Sequence, residues 1–314
     1  EREVITERDR LADRYEIAAA QPSQAARKAL LKRIFGAHPY GIHSPEPDQV
    51  RAVEPGGLRA LHDSRLLPAG ALLVIVGDLQ PETALDVAAA ALGDWKAGGA
   101  LPPEPVPPVP PVRPGPLLLV DRPGSVQSSV RLGLAAVGRS HPDYPALQLA
   151  NLVFAGYFSS RLTENIREDK GYTYSPHGVI EHGLAGSTLT VDADVATEVT
   201  APAMVEIWYE LGRIASLPVA AAELENARQY ATGTLALSLA SQGGLASTAS
   251  VLLGTGLTLD WLLEHPRRLA ATTLDEVHAA AAKYLGPARA VAVVLGDAAA
   301  VEGPLRTLGA VSQE

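Results

Sequence analysis

Arg167 and Tyr174, seven positions apart, are the residues of this chain best placed by type and spacing to do chemistry. They lie in the segment Ser160-Arg161-Leu162-Thr163-Glu164-Asn165-Ile166-Arg167-Glu168-Asp169-Lys170-Gly171-Tyr172-Thr173-Tyr174-Ser175. Its first part reads as a short amphipathic helix with Leu162 and Ile166 turned inward. Gly171 stops that helix, and a strand is expected from Tyr172. Arg167 then sits in the last helical turn and Tyr174 on the strand just after it, so their polar tips can converge. A guanidinium and a phenol facing one cavity suit a peptide carbonyl or carboxylate and can steady a developing oxyanion. On spacing alone a plainer assignment holds, with Arg167 a helix-end charge and Tyr174 a half-buried strand residue.

The histidines offer no comparable constellation. His177 and the pair Glu181-His182 are spaced His-x-x-x-Glu-His. On a helix, residues five apart point about 140° away from each other. The neighbours Thr173, Gly178, Val179, Ile180 and Gly183 read as strand in any case, so two exposed strand histidines are expected. His38, His43 and His62 have no acidic or His partner at ligand spacing and read as ordinary surface or core residues. The chain has no cysteine, which excludes a disulfide framework, a thiolate nucleophile and Cys-ligated zinc.

These residues need a folded frame, and the composition supplies one. Of 314 residues, 47% are hydrophobic and 19% charged, enough for large cores and for two domains. The net charge of −9 argues against nucleic acid, whose phosphates call for clustered Lys and Arg. The longest apolar runs, at 71–76 and 290–295, fall far short of the roughly 18 residues that span a bilayer, so no membrane helix is expected. The absence of Cys fits a cytoplasmic protein. The chain starts at Glu1 and reads as though it begins inside a domain.

A stretch from 98 to 116 holds nine prolines and is expected to run as an extended linker. Before it, residues 2–35 read as helix interrupted by Pro22, with Ser23 able to cap the second helix. Residues 71–76 form a continuous apolar run closed by Gly77-Asp78, expected to be a buried strand, and residues 81–92 restart as a helix. After the linker, strands are expected at 117–120 and 126–134, helices at 145–154 and 159–169, and alternating strands over 172–195. Long Ala/Leu-rich helices should follow from 201 to 284, with a last strand at 289–295. One series occurs twice. Leu58-x-x-x-His62 leads through Pro68-Ala69 into strand 72–76 and Gly77-Asp78, and Leu274-x-x-x-His278 leads through Pro287-Ala288 into strand 291–295 and Gly296-Asp297. Such self-similarity points to two copies of one α+β unit, the first lacking its beginning.

The segment around Arg167 resembles the C-terminal-domain signature of pitrilysin-type (insulinase-like) peptidases, in the M16B branch of family M16, and is similar to subunits of the mitochondrial processing peptidase. In that signature an Arg and a Tyr seven residues apart grip the substrate. Arg167 and Tyr174 match the pair, and Ser160-Arg161-Leu162 and Gly171 match its flanks. His38-Pro39-Tyr40-Gly41 and Val74-Ile75-Val76-Gly77-Asp78 also look like family motifs, so the resemblance covers nearly the whole chain. It implies an α+β fold of two homologous domains, each a mostly antiparallel sheet packed against helices. An N-terminally incomplete domain would occupy 1–97, a Pro-rich linker 98–115, and the domain with the Arg/Tyr motif 116–314.

The family's metal helix carries His-x-x-Glu-His, a pattern that occurs nowhere in this sequence. Glu1-Arg2-Glu3-Val4-Ile5-Thr6-Glu7-Arg8 looks like its third-ligand helix. Aligned on Arg-x-Val-Ile, Arg8 falls where the zinc-binding Glu should be, and an arginine does not ligate a dication. A shift of one residue would bring Glu7 there instead. The resemblance therefore implies a subunit without catalytic residues or a metal of its own. It would lend Arg167 and Tyr174 to a zinc-bearing M16 partner, in a heterodimer or homodimer, that together form a cytoplasmic zinc endopeptidase acting on extended peptides. A self-sufficient zinc peptidase whose metal helix precedes Glu1, and a non-enzymatic scaffold, are the alternatives.

Overall fold

The computed structural model describes residues 1–96 and 105–314. Most of the first half of the expected linker, residues 98–104, lies outside the described residues, and residues 105–115 run without helix or ladder. The chain opens with helices α1 (Arg2–Ala19) and α2 (Pro22–Phe35). Pro22 occupies the first turn of α2, where its missing N–H costs nothing, and Gln21 is the capping residue rather than the expected Ser23. Helices α3 (Pro47–Arg51), α4 (Pro55–Arg65) and α5 (Pro81–Leu92) follow. Strands β1 (Leu117–Asp121) and β2 (Gln127–Ala136), helix α6 (Tyr144–Asn151) and the short helix α7 (Arg161–Thr163) come next. After them come the hairpin β3 (His177–His182) and β4 (Ser187–Ala196), and helices α8 (Thr200–Ser216), α9 (Ala221–Leu239), α10 (Gln242–Gly254), α11 (Trp261–Ala271) and α12 (Leu274–Tyr284). Strand β5 (Val291–Gly296), helix α13 (Ala298–Arg306) and strand β6 (Val311–Gln313) close the chain. Among the described residues no single helix is long and apolar enough to cross a membrane.

The residues group into two compact units that do not follow the expected division at 97 and 116. One comprises Ile17–Ser44, Val106–Ala231 and His265–Glu314, the other Glu1–Glu16, Pro45–Pro105 and Thr232–Glu264.

The larger unit is built on a six-stranded mixed sheet in the order β3-β4-β2-β5-β1-β6. The pairs β3–β4, β4–β2 and β2–β5 are antiparallel, whereas β1 runs parallel to both β5 and β6. Side chains alternate across it with the period of two that a pleated strand imposes. Val130, Leu132, Leu134, Leu189, Val191, Ala193 and Val294 turn to one face and join the core formed with Met204, Ile207 and Leu211 of α8 and Val277 and Ala281 of α12. α8 is helical on this surface because its buried residues recur at 200, 203, 204, 207, 211 and 214, one stripe of a 3.6-residue helix. On the opposite face Leu118, Val291 and Val293 meet Leu30, Leu31, Ile34 and Phe35 of α2. Gly133 lets α2 approach this closely, since a Cβ there would stand 2.3 Å from Ile34 Cδ1.

Two expectations are corrected here. β5 is not the last strand, because β6 pairs with β1 through the register Leu117↔Val311. Nor does the smaller unit contain the expected second copy of the sheet. Residues 71–76 form neither helix nor ladder, and Leu72, Leu73 and Ile75 are 51%, 56% and 48% exposed. The physical reason is pairing. β5 has β1 and β2 to accept and donate its backbone bonds, while residues 71–76 have no neighbouring strand among the described residues. Within the smaller unit, Arg51 joins Asp13 and Glu16 of α1 and Asp48 of its own helix at 3.3, 2.6 and 3.2 Å. The Trp95 indole N–H donates to the Leu66 carbonyl at 3.2 Å. Helices α4 and α5 bury no residue.

Candidate functional site

The helix that carries Arg167 is set by burial before it is set by any polar contact. Leu162 and Ile166 are wholly buried, one helical turn apart, as their spacing predicts. α7 then widens into a π-helical turn over Glu164–Asp169. This turn was not visible in the sequence, and such bulges concentrate at functional sites. Gly171 ends it at φ 65°, a left-handed conformation that costs glycine nothing, with its N–H bonded to the Arg167 carbonyl at 3.0 Å and the Tyr172 N–H to the Ile166 carbonyl at 2.8 Å.

Tyr174 does not lie on a strand. Residues 172–176 are irregular and β3 begins at His177. The segment is pinned instead by the Thr173 hydroxyl, which donates to the Asp194 carbonyl at 2.7 Å. The result brings Arg167 and Tyr174 together in a way their spacing does not specify. Their polar tips do not meet. The guanidinium carbon of Arg167 lies over the Tyr174 ring, 4.7 Å from its centroid, and 4.5 Å from the centroid of Phe158. A cation over an aromatic face is held by the ring quadrupole, by about 0.5–1 kcal/mol at an exposed site. Arg167 Nε also lies 3.1 Å from Glu168 Oε1. Among the described residues, the two terminal nitrogens of Arg167 and the Tyr174 hydroxyl have no hydrogen-bond partner. Tyr174 is 79% exposed. The arrangement is an accessible donor edge set between two rings, able to take a carbonyl or carboxylate oxygen.

Behind this edge the helix is fastened to α8. Asn165 Nδ2 donates to Glu206 Oε2 at 3.0 Å and to the buried Glu210 Oε1 at 2.9 Å, and the Lys170 ammonium lies 3.5 Å from Glu206. These residues line a polar cleft of about 500 Å³ between the turn and α8. Arg161, itself only 6% exposed, grips Glu223 with two bonds of 2.6 and 2.7 Å. Both Phe158 and Glu223 were missed from sequence. An aromatic two residues before Ser160 was the available signal for the first, and nothing local marks the second.

The histidines singled out in the sequence each meet a neighbouring group. His177 and His182 lie at opposite ends of β3, five residues apart and therefore on opposite faces. His177 Nε2 sits 3.7 Å from Asp192 Oδ2. His182 meets the Ser187 hydroxyl at 2.9 Å and the edge of Tyr144, and burial lowers its pKa to about 4. His38 Nδ1 accepts from the Tyr40 N–H at 3.1 Å, so in the neutral ring Nε2 carries the proton and donates to the Pro107 carbonyl at 2.9 Å. In the same motif the Tyr40 hydroxyl accepts from the Ala185 N–H at 3.0 Å, which ties the motif to the turn of the β3–β4 hairpin. His43 bonds Gln24 and His62 bonds Asp63. At the two rival positions for a third zinc ligand, Arg8 pairs with Asp9 at 2.9 Å and Glu7 with Arg10 at 2.7 Å. Among the described residues no three His, Asp or Glu side chains gather as a metal site, so these residues do not fit a resident zinc.

Comparison with known proteins gives relatives both by sequence and by fold. The sequence profile of the family described as "Peptidase M16 inactive domain" matches residues 53–230. An uncharacterized zinc protease of Mycobacterium bovis is 25% identical over 300 residues, which is 94% of this chain and 67% of that protein. One from Mycobacterium leprae is 25% identical over 240 residues, 76% of this chain and 54% of that protein. The chain thus spans between about half and two thirds of the length of these relatives. Among solved structures, the peptidase M16 inactive domain from Pseudomonas fluorescens superposes with a TM-score of 0.82 at 23% identity, covering 94% of this chain and 70% of that one. A subunit in complex III from Candida albicans superposes at 0.76 and 14% identity, covering 96% and 74%, so the fold is shared with it and nothing further follows. With the profile spanning more than half of its residues, the chain belongs to the peptidase M16 inactive domain family.

Proposed function

We propose that this chain is the substrate-gripping part of a zinc endopeptidase, in which Arg167 and Tyr174 hold an extended peptide while a zinc-bearing M16 subunit supplies the metal. The reading rests on one observation above others. The free edge of the Arg167 guanidinium is held over the exposed Tyr174 ring, with no internal acceptor for its terminal nitrogens among the described residues. The two rings fix the position of that edge while leaving its donors open to a carbonyl or carboxylate oxygen. The curated relatives from Mycobacterium carry the name zinc protease, which agrees with the reaction class. Among the described residues no metal site assembles, which is why the proposal assigns the zinc to a partner.

The test is a reconstitution. The chain, its Arg167→Ala variant and its Tyr174→Phe variant are each mixed with a zinc-bearing M16 subunit from the same source, the complex is confirmed by size exclusion, and cleavage of a fluorogenic extended peptide is followed. Loss of one oxyanion-type donor in a water-poor site costs about 100- to 1,000-fold in rate. That loss, with complex formation intact, is the expected outcome. Turnover close to that of the unaltered pair from both variants would overturn the reading and favour a scaffold.

A further inference from the structure

The aromatic that completes the cradle around Arg167 belongs to no motif, yet its geometry is as specific as that of Tyr174. We propose that Phe158 is the third member of the grip, a positioning residue that holds the Arg167 guanidinium against the Tyr174 ring and offers an apolar wall to a large apolar side chain of the bound peptide. The proposal rests on reading Arg167 and Tyr174 as the peptide grip.

Four observations carry it. Phe158 is 60% exposed, an expensive place for a phenyl ring unless something is to pack on it. It is not exposed through looseness, because its neighbours are anchored. The Tyr157 carbonyl accepts from the Ser160 N–H at 3.1 Å, and the Tyr157 ring lies 5.1 Å from that of Tyr230. The Arg167 guanidinium sits nearer to the Phe158 centroid than to that of Tyr174, at 4.5 against 4.7 Å. Finally, the arginine side chain is only 27% exposed although both rings that cover it are open to solvent. The rings therefore restrict the rotamers of a long side chain without consuming its terminal donors, which is what a preorganised grip requires. Two exposed ring faces beside a cation suit a peptide residue with a large apolar side chain next to the carbonyl that Arg167 meets. A small polar residue there would leave the rings wet.

Two measurements on the full chain separate this proposal from the reading it rests on. The first needs no peptide. In NMR spectra the Arg167 side-chain signals, assigned by their loss in Arg167→Lys, should be displaced upfield by ring currents. Phe158→Leu, which keeps apolar bulk, should move them toward ordinary arginine positions, and Phe158→Tyr should keep them displaced, with every variant still folded as shown by a cooperative thermal melt. Signals that stay put in Phe158→Leu overturn the positioning role. The second is titration with two fluorescein-labelled extended peptides that differ only in carrying Leu or Ser at alternate positions. The unaltered chain should prefer the Leu peptide, and Phe158→Leu should lose about tenfold in its affinity while Phe158→Tyr retains it. An equal preference in Phe158→Leu overturns the apolar wall. An unaltered chain that binds neither peptide tells against the grip itself, while the NMR outcome still decides whether Phe158 positions Arg167.

Discussion

Arg161 and Glu223 stand 62 residues apart in sequence and close on each other through two parallel bonds of 2.6 and 2.7 Å, joining the first residue of α7 to the first turn of α9. The guanidinium is almost wholly buried and the carboxylate is 30% exposed. The helix that presents Arg167 is thus held at its start by an ion pair, along its inner face by Leu162 and Ile166, and along its flank by Asn165 on Glu206 and Glu210.

Removing the carboxylate should strand the Arg161 charge. A broken buried pair typically costs 3–5 kcal/mol, and the partial exposure of Glu223 reduces that here to about 2 kcal/mol. Glu223→Ala should lower the melting temperature accordingly. The Arg161 bonds, ahead of opposing burial, hold the Glu223 pKa below its usual value of 4.5. The contribution is therefore full above about pH 4.5 and is lost as pH falls through the lower folded value. Urea titrations along a pH series should show a steeper acid limb for the unaltered chain than for Glu223→Gln.

Tyr174 touches Arg167 through its ring and not through its hydroxyl. Tyr174→Phe should therefore leave the melting temperature unchanged, whereas Tyr174→Ala should cost about 0.5–1 kcal/mol, the size of one exposed cation–π contact. Equal losses from both variants, measured by thermal unfolding, would show that the hydroxyl holds a structural bond.

Tyr144 is flanked by two histidines, His265 stacked on it at 5.3 Å and His182 edge-on at 5.2 Å. Burial lowers both pKa values to about 4. These rings are neutral in the folded chain while the unfolded chain protonates them near 6.5, so stability should fall as pH drops from about 6.5 toward 4 and be insensitive to them above. A proton NMR titration should find two of the eight histidines silent until about pH 4. If both titrate near 6.5, this contribution is absent.

The apolar run at 71–76 exposes Leu72, Leu73 and Ile75 with no strand paired to it among the described residues. An unpaired apolar edge is a template for association. For the 314-residue chain, Leu73→Lys should slow aggregation at micromolar concentration, followed by light scattering, without lowering the melting temperature. A fall in melting temperature would place Leu73 in a core.

The sequence by itself determined what short-range periodicity encodes. Leu162 and Ile166 declared an inward helix face, Gly171 its end, and residues 126–134 a strand, which the structure has at Gln127–Ala136. Backbone hydrogen bonds within a turn, and the period of two along a strand, are local properties, so they survive in the order of the residues. Tertiary structure decided the rest. The repeated helix–strand–Gly-Asp series promised two equivalent strands, but only 291–296 found neighbours, because a strand is completed by segments distant in the chain. β6, three residues long, carried too little pattern to be read and exists because β1 offers it an edge. Arg161 showed nothing of Glu223, and the spacing of Arg167 and Tyr174 suggested meeting tips where the fold made a guanidinium lie across rings. Such contacts depend on how α7, the π turn and the irregular segment before β3 are packed. Packing is set by the whole core and not by any window of sequence.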